Sequence, residues 1–124
     1  MSAPSVIRKC GAALLTVAIV VVVVDYTSSV LLRSNARDCQ RTQSDNGAYI
    51  AELCLLRDNG HDADYLGRVY AAQGGALLAD RTFDTPESGI YWDNESVAFE
   101  RGGTGDSLIF LPPTMLDGLR ARLP

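Results

Sequence analysis

The pattern of hydrophobic and polar residues divides the chain into one long apolar segment and a series of short runs. Residues 10–24 form a mostly aliphatic stretch of fifteen residues without a charge, directly after Arg8 and Lys9. Beyond Asp25 the chain is mildly apolar again, which extends the segment to residues 10–32, 23 residues in all. Because a bilayer crossing needs roughly 17–25 residues, this segment is long enough to span a membrane.

Two interpretations of residues 1–32 compete: an uncleaved signal anchor and a signal peptide that is removed. The basic start and the apolar core fit both. The anchor is favoured because no clean Ala-x-Ala cleavage site follows the apolar core. The valine run at 20–24 argues against a third reading, a buried element of a soluble protein.

The basic residues predict the orientation of this segment. Basic residues on a short tail tend to stay in the cytoplasm, so Arg8 and Lys9 place the N-terminus there, although Arg33 and Arg37 on the far side weaken the inference. Ten of the eleven basic residues are arginine, which hints at a GC-rich bacterial genome. We therefore expect a single-pass protein of the bacterial inner membrane with a periplasmic C-terminal region. Signal cleavage would instead release a secreted or periplasmic protein.

The rest of the chain reads as a polar linker followed by a β-rich domain. Residues 33–48 contain almost no aliphatic side chains, which predicts a linker or loop. From residue 49 onward, strand-forming runs alternate with turn signals at spacings of roughly 8–12 residues, as in an antiparallel meander. The runs are residues 49–57, 65–72, 76–85, 90–92, 96–101 and 107–111. We predict a mainly β, α+β domain over residues 49–124, with a small antiparallel sheet of five or six strands.

A short C-terminal helix is predicted after Pro112 and Pro113. Thr114 is a plausible N-cap, with Asp117 three residues later as an acidic variant of the capping box. The apolar residues that recur at helical spacing are Met115, Leu116, Leu119 and Leu123. The run 49–57 is apolar on both faces. The core can bury only one of them, so a further segment must cover the other. We expect the helix to pack on the sheet and supply that cover.

Two of the three cysteines lie in the predicted exported region. Cys39 and Cys54 are fifteen positions apart, and an even number of cysteines in an oxidising compartment favours a disulfide. The alternative is a pair of free thiols. Cys10 lies within the apolar segment and reads as a small hydrophobic residue.

The charge of the exported region limits its partners. Residues 38–124 carry seven arginines and fourteen acidic residues, a net charge of −7. This excess argues against binding to nucleic acid, whose phosphates need basic residues, and permits a basic protein partner. A core this small is only marginally stable on its own, so a partner protein or a homo-oligomer could supply additional stability.

No motif indicates catalysis, a cofactor or a metal. The glycines at 102, 103 and 105 lack the Gly-Lys-Ser/Thr of a phosphate loop and read as a turn. The acidic segment 58–64 does not match an EF-hand and reads as a solvated loop. His61 is the only histidine, and no Cys-x-x-Cys spacing accompanies it. We therefore predict no catalytic residue, metal ligand or cofactor.

The candidates for partner binding are an aromatic residue and the acids in two turns. They are Tyr91, Asp93, Asp62, Asp64 and Glu95. Trp92, beside them, is expected in the core, and Tyr91 on the surface.

Three function classes remain, and we favour the first. It is a membrane-anchored, periplasmic protein-binding module, of which an immunity protein or inhibitor against a periplasm-acting toxin is one form. The second is a structural or assembly subunit of an envelope or secretion complex, which would use the membrane helix itself for contacts. The third is a small hydrolase or lectin-like domain.

Overall fold

The computed structural model describes residues 3–103 and 105–123, with side chains from Lys9 onward. The chain divides into two compact units, Met1–Leu31 and Leu32–Pro124. The first consists of most of helix α1, Ala3–Ser34. Lys9–Ser34 is long and apolar enough to cross a membrane, and its mean hydropathy reaches 2.2. A helix pairs all its interior backbone groups within itself, so it suits a bilayer, and the prediction of an apolar N-terminal helix is confirmed.

The second unit has seven antiparallel strands in two sheets, followed by a short helix. Sheet A has the order β1-β2-β3-β4, and sheet B has the order β5-β6-β7. Sheet A comprises β1 (Arg37–Gln43), β2 (Tyr49–Asp58), β3 (Ala63–Ala71) and β4 (Leu77–Thr85). Sheet B comprises β5 (Ser88–Trp92), β6 (Ser96–Glu100) and β7 (Leu108–Phe110), and α2 (Met115–Arg122) ends the fold. The mainly β, α+β fold class is confirmed.

The strands form two sheets where we predicted one sheet of five or six strands. The main core contains side chains from both sheets, including Leu53, Val69 and Phe83 from sheet A and Phe99 and Ile109 from sheet B. The alternating strands of sheet B each present one apolar face. Such a face is buried only against another layer, so the chain folds back and stacks sheet B on sheet A.

Residues 37–43, predicted to belong to a polar linker, form β1 instead. All seven residues of the strand are exposed, so no apolar pattern marks it. It pairs with β2 through the backbone, with Arg41 opposite Glu52, and a disulfide joins Cys39 to Cys54. An edge strand held by backbone bonds and a covalent link needs no apolar face, which explains why the sequence pattern missed it. The predicted disulfide is present.

The second face of β2 is covered by a different segment from the one we predicted. Cys54, Leu56 and Leu66 form a small buried cluster on this face, and Leu32 and Ala36 pack against it. Helix α2 contacts β4 instead, the far edge of sheet A. The cover therefore comes from the last residue of the apolar segment, Leu32, and from Ala36 just after it.

Helix α2 begins as predicted but turns its apolar side outward. Thr114 caps it, and the capping box with Asp117 is complete. Ala121 is its buried residue, and Gly118 comes close to the backbone of β4 at Leu78. The four predicted contact residues are exposed, at 93% for Met115, 76% for Leu116, 58% for Leu119 and 59% for Leu123. The prediction that these four side chains pack on the sheet is wrong.

Candidate functional site

A groove forms where the β1–β2 turn meets the β5–β6 turn. It encloses about 260 Å³. We call it the turn groove, and its lining residues are Ser44, Asp45, Asn46, Tyr49, Trp92, Asp93, Asn94, Leu111 and Pro112. The groove combines two aromatic rings with two carboxylates at the surface of the strand-rich unit.

The β1–β2 turn is held in shape by its own polar groups. The backbone N–H of Ser44 donates to the carbonyl of Tyr49 (2.9 Å), and the Tyr49 N–H donates to the Ser44 hydroxyl (3.0 Å). The side-chain oxygen of Asn46 accepts from the Ser44 hydroxyl (2.7 Å) and from the Ala48 N–H (3.0 Å). Gly47 has φ of 72°, a left-handed conformation that glycine adopts without strain. This wall of the groove is therefore organised before any ligand arrives.

Trp92 forms the opposite wall and ties sheet B to sheet A. Its ring packs against the main core, and its Nε1–H donates to the hydroxyl of Thr42 on β1 (2.8 Å). Tyr91 points to the other face of β5, as alternation requires, and is 44% exposed. Tyr91 is therefore on the surface as predicted, whereas Trp92 is half-buried at the edge of the core and lines the groove.

The turn groove is acidic. Asp45 and Asp93 both line it and are exposed, and Glu95 is exposed in the adjacent hairpin turn. Among the described residues that line the groove there is no arginine or lysine. Asp93 is positioned by the hairpin, since its N–H donates to Ser96 O (2.9 Å) and its carboxylate accepts from the Asn94 N–H (2.7 Å). The site offers negative charge beside aromatic faces.

The five predicted partner-binding residues occupy two separate places. Tyr91, Asp93 and Glu95 belong to the β5–β6 hairpin, and Asp93 lines the turn groove. Asp62 and Asp64 lie at the β2–β3 turn, at the end of sheet A opposite to the β1–β2 turn. The binding role of all five residues stays a prediction.

The acidic β2–β3 turn is built as a structural turn. Asp64 accepts from Arg57 across the strand pair, with 2.7 Å between Arg57 Nη2 and Asp64 Oδ2. Asp58 caps the turn by accepting from the Gly60 N–H (2.9 Å). The carboxylates of Asp58 and Asp64 are thus used within the turn.

The sequence pattern missed the groove residues of the β1–β2 turn. Ser44, Asp45 and Asn46 fell within the supposed linker, and Tyr49 was taken only as the start of a strand. The triplet Asp45-Asn46-Gly47 is a strong turn signal. It would have revealed a hairpin here if the polar segment before it had been recognised as a strand.

A row of alternating charges crosses the face of sheet A that turns away from sheet B. Its members, which we call the charge row, are Arg41, Glu52, Arg68, Asp80 and Arg33. The first four lie directly opposite one another on β1 to β4. Glu52 binds both Arg41 and Arg68, and Arg33 binds Asp80 (2.9 Å). Glu52 and Asp80 are each only 4% exposed.

The charge row alters the proton affinity of Glu52. Burial raises the pKa of this carboxyl, but hydrogen bonds from Arg41, Arg68 and Tyr70 outweigh burial, so the pKa lies below its ordinary value. Burial also raises the pKa of Tyr70. A lowered carboxyl pKa in a fully paired group indicates a structural ion network. A general acid would need the opposite shift.

Two other clusters that resemble sites are explained by the fold. Cys39, Glu52 and Cys54 bring ligand-type atoms within 4.8 Å of one another, but the disulfide uses both sulfurs. Gly102 and Gly103 have positive φ, 92° and 50°, as in the predicted turn. The rest of that glycine motif includes Thr104, which lies outside the described residues.

Comparison with protein-family models, with curated proteins and with solved structures finds no match for this chain. The turn groove therefore has to be interpreted from its own chemistry.

Proposed function

We propose that this protein is an extracytoplasmic binding module of a bacterial envelope that holds a basic segment of a partner protein in the turn groove. Residues 10–32 anchor it in the inner membrane. The observation that carries the proposal is the lining of the groove: carboxylates of Asp45 and Asp93 beside the rings of Tyr49 and Trp92.

Two features support export and anchoring. Helix α1 is long and apolar enough for a membrane anchor or a signal sequence. The Cys39–Cys54 disulfide suits an extracytoplasmic domain, because disulfides persist in oxidising compartments such as the periplasm. Both features fit a chain whose second unit functions outside the cytoplasm.

The chemistry of the groove suits an arginine or lysine side chain. Carboxylates form charge-assisted hydrogen bonds with such groups, and an aromatic face attracts a cation stacked on it. Small-molecule pockets usually measure about 300–1,000 Å³, and the turn groove is smaller, at about 260 Å³. One inserted side chain of a larger partner fits this volume better than a free metabolite.

An inhibitor of a basic, periplasm-acting toxin is one form of this function. It would need an exported, anchored domain with an acidic site, and the excess negative charge would speed encounter with a basic partner. An assembly subunit would depend instead on the membrane helix. Replacing residues 1–32 by an unrelated anchor separates the two, because binding through the groove survives the exchange.

The single tryptophan gives a direct test of the groove. Trp92 is the only tryptophan in the chain and lines the site. The full-length protein in detergent micelles is titrated with the peptide Gly-Arg-Gly, and we expect a saturable change in Trp92 fluorescence. The neutral isostere Gly-citrulline-Gly should produce no such change, because it cannot pair with the carboxylates.

Matched variants separate the groove from general acidity. The double variant Asp45→Asn/Asp93→Asn should weaken binding of the arginine peptide about tenfold, which corresponds to about 1.4 kcal/mol. Asp84→Asn/Asp106→Asn removes the same charge from exposed positions outside the groove and should leave affinity within about twofold. Equal binding of the citrulline peptide, or equal loss in both double variants, would refute the proposal.

A further inference from the structure

The exposed apolar side of α2 is the most unusual surface of the strand-rich unit. Met115, Leu116 and Leu119 lie on one side of the helix, Leu123 follows as its C-cap, and all four are more than half exposed. The opposite side carries the contacts with β4, through Ala121 and Gly118. Contiguous apolar surface of this kind marks an interaction site, so something outside the described fold is expected to cover it.

The polar residues around this apolar side have the arrangement of an interfacial helix. At 3.6 residues per turn, Arg120 and Arg122 flank the apolar side on its two edges, and both are exposed. The helix's one acid, Asp117, borders the leucines, and its carboxylate is paired with Arg81. Apolar residues on one side with arginines at its edges are typical of helices that lie in a membrane surface. Arginine side chains can extend from such a position toward the headgroups.

A polar groove adjoins α2 and contains both arginines and acids. It encloses about 350 Å³. Three arginines line it, Arg33, Arg81 and Arg120, together with the acids Asp80 and Asp106. Basic residues beside an apolar surface favour anionic lipid headgroups, because each adds electrostatic attraction near the membrane. Arg33 and Arg81 are paired with Asp80 and Asp117, so Arg120 is the arginine of this groove that the described ion pairs leave for a headgroup.

The contact between the end of α2 and Arg33 favours a bilayer as the surface that covers the apolar side of α2. The Arg33 side chain donates from Nη1 to the carbonyl of Leu123 at the end of α2 (3.3 Å). Arg33 directly follows residue 32, the last of the predicted membrane segment, and consecutive Cα atoms are about 3.8 Å apart. The interfacial layer is about 5–8 Å deep on each side of a bilayer. If residues 10–32 cross the membrane, the C-terminal end of α2 lies at that layer.

We propose that α2 docks on the surface of the bilayer that holds the anchor. Met115, Leu116, Leu119 and Leu123 insert at the boundary of the acyl chains, and Arg120 and Arg122 bind anionic headgroups. This inference rests on the proposed anchor and goes beyond it, because it gives the protein a second, peripheral membrane contact that orients the turn groove.

The test uses full-length protein reconstituted in vesicles of phosphatidylglycerol and phosphatidylcholine at a ratio of 1:3. Leu119→Trp is made in a Trp92→Phe background, so that the introduced tryptophan is the sole reporter. Lipids brominated on the acyl chains quench its fluorescence only by contact. We expect quenching at least threefold greater than that of the control Asn94→Trp in the same background. Met115→Trp, at a residue that is 93% exposed in the structure, should show the same quenching.

The arginines are tested by lipid composition. In the Leu119→Trp protein, quenching should fall at least twofold in vesicles of phosphatidylcholine alone. Arg120→Gln/Arg122→Gln should produce a similar fall in the mixed vesicles, with little further dependence on phosphatidylglycerol. If quenching is unchanged both without phosphatidylglycerol and in the double arginine variant, the arginines have no role in docking.

The outcomes separate failure of docking from failure of the anchor. Loss of the wild-type protein from vesicles on alkaline carbonate washing would refute the anchor, and the docking inference with it. Retention in vesicles without quenching at either reporter would refute docking alone. In that case a blue-shifted reporter with cross-linked dimers would show that a second copy covers α2, and a red-shifted reporter would show a solvated helix.

Discussion

One face of sheet A lies under apolar side chains of sheet B, and the other face carries the charge row. Beneath sheet B, Phe99 is fully buried and its ring stacks on Phe83, with 6.0 Å between the centroids. On the opposite face, Glu52 is almost as deeply buried but is surrounded by Arg41, Arg68 and Tyr70. Phe99 and Glu52 are both buried, so depth of burial alone does not distinguish the two residues.

The difference lies in what each face requires from its neighbours. Apolar burial is roughly proportional to area and does not depend on direction, so a side chain on the core face needs close packing but no specific partner atom. A buried charge gains stability only while its partners remain in place, and losing one partner leaves an uncompensated ion. Within the described residues, no buried side-chain nitrogen or oxygen lacks a hydrogen-bond partner. The charge row is thus complete but depends on every member.

The largest expected effect is on the core face. Phe99→Ala removes a ring that packs so closely on Gly67 that a Cβ there would come within 2.5 Å of it. We expect a loss of about 3–5 kcal/mol in the free energy of unfolding, because the cavity cannot collapse fully. Urea unfolding of the protein in micelles, followed by Trp92 fluorescence, measures it. Phe110→Ala, at a residue 66% exposed, is the control and should change stability by less than about 0.5 kcal/mol.

The second prediction concerns the covalent link on the charged face. Cys39→Ser/Cys54→Ser removes a disulfide that spans 15 positions, which should cost about 3 kcal/mol by loop-closure entropy. The measurement is the same unfolding experiment, with Cys10→Ser as the control for an exposed thiol. If the double variant matches the control, β1 is held by its backbone bonds alone.

The third prediction breaks the charge row itself. Glu52→Ala leaves Arg41, Arg68 and Tyr70 without their shared acceptor, and we expect a loss of about 2 kcal/mol, since the arginines keep partial access to water. Asp84→Ala, an exposed acid on β4, should be close to neutral. An equal effect of the two variants would mean that the row contributes no more than a surface pair.

The smallest expected effect is on the pH dependence of stability, to which Glu52 on the charged face contributes and the apolar core face does not. Because the pKa of Glu52 is lower in the folded protein than in the unfolded chain, its contribution is fully present above the unfolded value of about 4.3. That contribution is lost as the pH falls through the lower, folded pKa. The Asp117 carboxyl, whose pKa is also lowered on balance through Arg81 and Thr114 although burial raises it, acts in the same direction.

The check is a series of unfolding curves from pH 7 down to pH 3. Wild-type stability should decrease at the acidic end, and the decrease should be smaller in Glu52→Gln, which no longer has this group to protonate. Phe99→Ala should retain the wild-type slope, because it changes no titrating group. A slope that survives unchanged in Glu52→Gln would place the acid sensitivity elsewhere.

Local sequence predicted the elements that depend on near neighbours along the chain. The apolar run from residue 10, the alternation in β5 to β7, and the Thr114 cap are each formed by residues a few positions apart. The disulfide was also predicted, although it joins residues 15 apart. Only two of the three cysteines lie in the predicted exported region, so they form the one available pair. The polar strand β1 was missed, since its only marks are a partner strand and a disulfide.

The turn groove was only partly predicted. Asp93 was recognised in the β5–β6 hairpin, whereas Trp92 was expected in the core. Asp45 and Tyr49 come from a turn about 45 positions earlier in the chain. Asp62 and Asp64 looked equivalent to Asp93 in composition, yet the fold places them at the other end of sheet A. Spatial grouping of acids depends on strand order, which composition does not contain.

The sequence by itself determined the apolar helix, the six strand segments β2 to β7, the capped helix and the excess of negative charge. Each of these follows from side-chain type and short-range periodicity. Only the tertiary structure decided that the strands split into two sheets, that residues 32–36 cover one face of β2, and that α2 turns its leucines outward. These outcomes depend on which surfaces are buried together, and burial is a property of segments distant in the chain.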